Sequence, residues 1–151
     1  MVNDLIKAKG TLTLVLTDEN GNIKQQNEHN LVVSTGLAYI ASRMKDTAAA
    51  VMSHMAIGAG TIAAAAADTS LGTQLNTRVT IDTTTIVTTT AANDSVQYVA
   101  TFAAGQSTGA VTEAGIFNAS TAGSMLCRTV FPVINKGELD TLVITWKVTV
   151  A

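Results

Sequence analysis

The clearest strand pattern in the chain lies at residues 139–150, which read Leu-Asp-Thr-Leu-Val-Ile-Thr-Trp-Lys-Val-Thr-Val. Successive side chains of a strand point to opposite faces of a sheet. One face here carries Leu142, Ile144, Trp146, Val148 and Val150, and the other carries Thr141, Thr145, Lys147 and Thr149. Only Val143 breaks the alternation. The pattern predicts a strand with one buried face, on which Trp146 belongs to the core.

Similar signals recur through most of the chain, because runs of β-branched and aromatic residues are separated by Gly, Asn, Asp and Ser. They predict strands at residues 11–17, 54–57, 77–90, 95–104, 110–118 and 124–133. The chain resumes at Ile23, and the polar residues 24–30 suit an exposed or edge strand that pairs with the first across a turn at 18–21. About eight short strands predict an all-β, antiparallel two-sheet β-sandwich of jelly-roll type, with a barrel as the alternative.

One segment has helical rather than strand periodicity. Within residues 34–45, Leu37, Ile40, Ala41 and Met44 follow the i, i+3, i+4, i+7 spacing of one helical face. Ser34 or Thr35 can serve as the N-cap, since a hydroxyl there accepts a backbone N–H. We expect this single short helix to pack its apolar stripe over one open end of the β-structure.

Size and composition limit both architecture and partners. The chain has 151 residues, which suits a single domain over 1–151 with a short N-terminal arm. Only 13% of residues are charged, roughly half the usual share, so we expect partners to cover much of the surface. The nine Lys and Arg are scattered and the net charge is −2, which argues against a nucleic-acid partner. Residues 1–10 lack a long apolar stretch, so neither a signal peptide nor a membrane anchor is expected.

Catalytic and metal-binding patterns are missing from the sequence. Most acids lie at turns, and His29 and His54 fit no zinc-binding spacing. The chain has no nucleophile elbow, and Gly58-Ala59-Gly60 lacks the lysine of a phosphate-binding loop. We therefore expect no catalytic residues, no cofactor and no metal, so that the protein is not an enzyme. The lone Cys127 is expected to be a buried structural thiol.

Glu113 stands out because it is a carboxylate inside an otherwise apolar strand. It can point to solvent or pair with a cation such as Arg128 on the neighbouring strand. A structural ion pair is favoured over a catalytic acid.

Two segments are candidates for contacts with partner proteins. The first is the Ala-rich loop that follows Gly60, in particular Ile62, Ala63, Ala64, Ala65, Ala66 and Leu71. The second is the N-terminal arm, with Val2, Leu5 and Ile6. Small side chains allow close backbone approach and lose little entropy when they become ordered. Long loops in compact domains are also commonly functional.

Three segments resemble small virion structural proteins of tailed bacteriophages. They are Met-Ala-Ile-Gly-Ala-Gly-Thr at 55–61, Thr-Glu-Ala-Gly-Ile-Phe-Asn at 112–118, and Asn-Lys-Gly at 135–137 followed by Leu-Val-Ile-Thr-Trp at 142–146. The resemblance covers roughly the C-terminal two thirds of the chain, and its motifs are structural. Similar β-sandwich modules occur in phage particles as capsid cement or decoration proteins, and also in tail, baseplate and fibre components.

A single domain without fibrous repeats suits a cement protein better than a fibre. The resemblance then implies that the major capsid protein and neighbouring copies of the chain are its partners. The protein would stay in the host cytoplasm before assembly and on the capsid surface afterwards, with no membrane partner. A tail, baseplate or fibre-associated receptor-binding role is the alternative, although the loops are mainly Ala, Ser, Thr and Gly and do not gather the aromatics and acids expected for it. An enzyme ranks third.

Overall fold

The computed structural model describes residues 6–45 and 49–151 of the chain. In those residues, nine strands and one helix occur in the order β1 Ala8–Thr17, β2 Ile23–Val32, α1 Ser34–Met44, β3 His54–Gly58, β4 Val79–Thr80, β5 Thr83–Val87, β6 Ser95–Phe102, β7 Gly109–Phe117, β8 Met125–Lys136 and β9 Thr141–Val150. The prediction of an antiparallel all-β chain with one short helix is confirmed.

All nine strands belong to one curled sheet, in the order β4-β3-β7-β8-β2-β1-β9-β6-β5. Strand β2 joins two halves of this sheet. It pairs with β1 along most of its length but with β8 only through Leu31 and Val32. We call β2, β1, β9, β6 and β5 half A, and β8, β7, β3 and β4 half B. The main core cluster contains side chains from both halves, so the curl of the sheet encloses one common core.

The predicted alternation of β9 is confirmed at Leu142, Ile144, Trp146 and Val148, which are buried, whereas Val150 is 39% exposed. Trp146 is completely buried, and its Nε1 donates a hydrogen bond of 2.8 Å to Oδ1 of Asn30. The indole thus keeps a partner for its polar atom inside the core. The predicted burial of Cys127 is confirmed. The aromatic residues Tyr98, Phe102, Phe117 and Phe131 are also buried, while Tyr39 is half-buried.

The centre of half B is buried on both faces at residues 55–58, 113–117 and 125–129, which explains why its strands lack alternation there. On β3, Met55 and Ile57 face the common core, while Ala56 belongs to a second cluster with Leu71 and Phe117. Leu71 lies in the loop of residues 59–75, which we call the cover loop. The cover loop therefore shields the outer face of half B.

The single strand predicted at 77–90 is wrong, because the structure divides this segment into β4 and β5. The chain leaves half B at Thr80 and reaches half A at Thr83, with only Ile81 and Asp82 between them. The backbone N–H of Ile81 donates to Ser53 O, next to β3 of half B. The backbone N–H of Asp82 donates to Val99 O, in β6 of half A. The backbone hydrogen-bond partners therefore change from half B to half A between these two residues. The two strands at opposite edges of the sheet are consequently neighbours in sequence.

The helix has nearly the predicted bounds, but the predicted packing of its apolar stripe is wrong. Leu37 and Met44 are 51% and 86% exposed, Ala41 is exposed, and only Ile40 is half-buried. The buried residue of α1 is instead Gly36, where an added Cβ would collide with the carbonyl oxygen of Leu126. The missing side chain at Gly36 lets the helix lie directly against β8. That close contact turns the predicted stripe toward solvent.

The predicted N-cap is also wrong. Val33 occupies the N-cap position, and no side-chain cap hydrogen bond forms. The hydroxyl of Thr35 donates 2.8 Å to the carbonyl oxygen of Met125 and thereby ties the helix to β8. The backbone N–H of Ser34 donates to the carbonyl oxygen of Ala66 in the cover loop.

Residues 23–30 of β2 are paired with β1 on one side, in agreement with the prediction of an exposed or edge strand. Strand β8 stops pairing with β2 after Arg128 and then forms a bulge, where three residues, 131–133, lie opposite the single Thr112 of β7. Pro132 lies in this bulge and has no N–H to donate. Two side-chain hydrogen bonds span the opening, from Gln26 to Pro132 O and from Thr129 to His29 O.

Candidate functional site

A buried carboxylate on β7 holds the cover loop in place. Oε1 of Glu113 accepts backbone N–H groups of Gly60 at 2.9 Å and Thr73 at 2.7 Å, and Oε2 accepts that of Gly72 at 2.9 Å. Glu113 is fully buried. Because Gly60 and Gly72–Thr73 lie near the two ends of the cover loop, this one side chain fixes both ends against β7.

Arg128 on β8 completes the network from the neighbouring strand. Its Nε and Nη2 donate 3.0 and 2.8 Å to Oε2 of Glu113. Its Nη1 lies 2.7 Å from Oδ2 of Asp68, and Nη2 also donates to the carbonyl oxygen of Ile62. Arg128 is only 3% exposed. The structural pair between Glu113 and Arg128 that the sequence predicted is confirmed.

The hydrogen bonds of this network favour the ionised form of both acids. Burial raises the pKa of Glu113, but hydrogen bonds from Thr73, Gly72, Arg128 and Gly60 outweigh burial and hold the pKa below its usual value. The pKa of Asp68 is lowered mainly by its hydrogen bond from the backbone of Ala65. A carboxylate with this many donors is saturated, so Glu113 has a structural role.

The network presents part of the predicted contact loop to solvent and anchors the rest. Ile62 is 80% exposed, Ala63, Ala65 and Ala66 are exposed, and Ala64 is half-buried. Leu71 departs from the prediction because it is buried in the second cluster, where it anchors the loop and is not available at the surface. Residues 62–66, which we call the docking segment, are thus apolar residues on a fixed backbone, and all except the half-buried Ala64 are exposed.

Of the predicted N-terminal arm, only Ile6 lies within the described residues. Val2 and Leu5 lie outside the described residues. Ile6 is 79% exposed and precedes Lys7, whose N–H and carbonyl oxygen both pair with the backbone of Ala151.

A pocket of about 460 Å³ lies between α1 and half A. We call it the helix pocket. It is lined by Tyr39, Ile40, Arg43, Val51, Met52, Thr84, Ile86, Val96, Tyr98, Leu126, Val148 and Val150. No local sequence pattern predicts this pocket, because its walls come from distant segments of the chain. Two aromatic residues, the half-buried Tyr39 and the buried Tyr98, line this pocket.

Three findings concern metal binding, catalysis and membrane spanning. Among the residues that the structure describes, no group of three or more His, Cys, Asp or Glu side chains could hold a metal ion. Oγ of Ser53 lies 2.8 Å from Nδ1 of His54, but this contact joins sequence neighbours, and no described carboxylate hydrogen-bonds to His54. Within the described ranges, no helix combines the length and apolar character needed to cross a membrane.

Comparisons of the chain with models of protein families, with curated proteins and with solved structures gave no match.

Proposed function

We propose that the protein is a non-enzymatic virion structural protein of a tailed bacteriophage, where it acts as a capsid cement or decoration protein. Its partners would be the major capsid protein and neighbouring copies of itself. It would be present in the host cytoplasm before assembly and on the capsid surface afterwards. Such a protein stabilises the particle by binding the assembled lattice more tightly than free coat subunits.

The observation that carries this proposal is the docking segment. Ile62 and its Ala neighbours are exposed, yet the Glu113–Arg128–Asp68 network holds the cover loop at both ends and near its middle. A contact surface that is fixed before binding loses less conformational entropy on association than a mobile one. Exposed apolar residues on a fixed loop are therefore suited to docking on another protein.

The experiment compares Ile62→Asp with a matched control, Ile23→Asp. Both isoleucines are strongly exposed, at 80% and 66%, but Ile23 lies at the turn between β1 and β2. We expect Ile62→Asp to weaken attachment to phage heads about tenfold or more, as loss of one buried Ile side chain implies. Ile23→Asp should attach normally. Equal attachment of the two variants would exclude the docking segment.

The cement role itself is measured by the disruption temperature of filled heads with and without the protein. Heads that lack it should assemble but open at a lower temperature. Because the docking segment is uncharged, raising the salt concentration should displace the protein only weakly. Unchanged head stability together with loss of host attachment would favour the alternative role in the tail, baseplate or fibre.

We further propose that the curled sheet is organised as the two layers of a jelly-roll sandwich. The observations in favour are the common core between halves A and B and the short junction at Leu31 and Val32. An experimental structure in which residues 23–30 pair with β8 along their whole length would contradict this arrangement, because the sheet would then continue without a division.

A further inference from the structure

The helix pocket has apolar walls and an accessible mouth. Its deeper residues are almost fully buried, among them Met52, Leu126 and Val148. At the rim, Val51 and Ile86 are 56% and 61% exposed. A pocket of about 460 Å³ is within the range typical of sites for small molecules. The docking role proposed above makes no use of this space.

The polar groups of the helix pocket are few and specific. Among the lining residues that the structure describes, Arg43 on α1 is the one charged side chain, and none is an acid. Nη1 of Arg43 donates to the carbonyl oxygen of Ala49 at 3.3 Å, which leaves the other guanidinium nitrogens without a described partner. Tyr98 is 5% exposed, and no described residue hydrogen-bonds to its hydroxyl. The pocket therefore offers donors and one positive charge beside a large apolar surface.

We propose that the helix pocket binds a carboxylate amphiphile, a small molecule with an apolar chain and a single carboxylate group. The chain would lie against Ile40, Val96 and Val148, and the carboxylate would pair with Arg43. A guanidinium matches the planar geometry of a carboxylate and binds it through two parallel hydrogen bonds. A doubly charged phosphate would need further positive charge, which the described lining residues do not supply.

The first test uses decanoate, decanol and decylamine, which share one apolar chain and differ in the head group. Calorimetric titration of the protein should give binding of one decanoate per chain, with decanol weaker by about tenfold, as loss of a charge-assisted hydrogen bond implies. Arg43→Gln should weaken decanoate about tenfold and leave decanol unchanged. Equal affinities for decanoate and decylamine would overturn the proposal, as would unchanged decanoate binding by Arg43→Gln.

The second test blocks the helix pocket. Val96→Trp should abolish decanoate binding by filling the apolar wall. Since Val96 is half-buried, Ile86→Trp supplies a second obstruction at an exposed position on the rim. Ile23→Trp, at the exposed turn between β1 and β2, is the control and should bind decanoate normally. If both pocket variants bind decanoate as tightly as the unaltered protein, the proposal is overturned. It is also overturned if the unaltered protein shows no binding up to the solubility limit of decanoate. Neither outcome bears on attachment to phage heads.

Discussion

The carboxylate of Glu113 on β7 and the guanidinium of Arg128 on β8 meet at 2.8 Å on the outer face of half B, where both side chains are buried. They lie diagonally across the strand pair, since Glu113 is opposite Val130 and Arg128 is opposite Gly115. Two buried charges are tolerated here because each is also hydrogen-bonded to the cover loop. The pair thus fixes a long segment that has neither helix nor strand.

Removing the carboxylate should destabilise the protein strongly. Glu113→Ala leaves the N–H groups of Gly60, Gly72 and Thr73 without their acceptor. It also leaves the buried positive charge of Arg128 only partly compensated. We expect the free energy of unfolding to fall by about 3 to 5 kcal/mol, the usual cost of breaking a buried ion pair. Denaturant titration measures this change, and protease cleavage within the cover loop should increase. Glu138→Ala, at an exposed position, is the control and should change stability little.

Stability should also depend on pH through Glu113. Its pKa is lower in the folded protein than in the unfolded chain, so ionisation favours the folded state. This contribution is complete above the ordinary Glu pKa of about 4.3 and disappears as the pH falls through the lower folded value. Asp18, Asp68 and Asp94 have lowered pKa values and act in the same direction. Unfolding measured from about pH 6 to pH 2 should therefore show a smaller acid-induced loss for Glu113→Gln. Identical pH profiles would contradict the assignment.

Trp146 provides a test of the core. Replacing this fully buried side chain by Ala should cost about 3 to 5 kcal/mol, because the core cannot close around so large a cavity. Trp146→Phe should cost less, since it keeps most of the apolar volume but leaves Asn30 Oδ1 without its donor. Trp146 is the single tryptophan of the chain, so fluorescence reports on it alone. Strong quenching of the native protein by iodide would contradict its burial.

Gly36 should resist substitution although it lies in a helix. In an exposed helix, Gly→Ala stabilises by about 1 kcal/mol. Here an Ala side chain would meet the carbonyl oxygen of Leu126, so we expect Gly36→Ala to destabilise by about 1 to 3 kcal/mol. The exposed Ala38→Gly is the matched comparison and should cost about 1 kcal/mol through helix propensity alone. A stabilised Gly36→Ala would show that the helix is not held against β8.

The sequence predicted best those features for which burial leaves a local pattern, such as a strand with one buried and one exposed face. The alternation around Trp146 and the isolated acid at Glu113 are local signals of burial, and both led to correct predictions. The division at Ile81 and Asp82 could not be predicted in this way, because it depends on which half of the sheet each neighbouring residue pairs with.

The errors at the helix have a similar cause. A hydrophobic stripe predicts which face is buried only if side chains make the contact. At α1 the absence of a side chain at Gly36 determines the contact instead, so Leu37 and Met44 remain exposed. The helix pocket escaped prediction because Arg43, Val51, Tyr98 and Val150 are brought together only by tertiary structure.

The position of β9 between β1 and β6 has a consequence for how the protein is made. Half A lacks its middle strand until residues 141–150 have left the ribosome, although β1 is synthesised first. Pairing of segments so far apart in sequence is slow, because the intervening chain must be ordered before the contacts form. During that interval the edge of β1 that will later bind β9 stays open to pairing with other chains. We expect the yield of folded protein to fall as the rate of synthesis and the crowding of nascent chains rise.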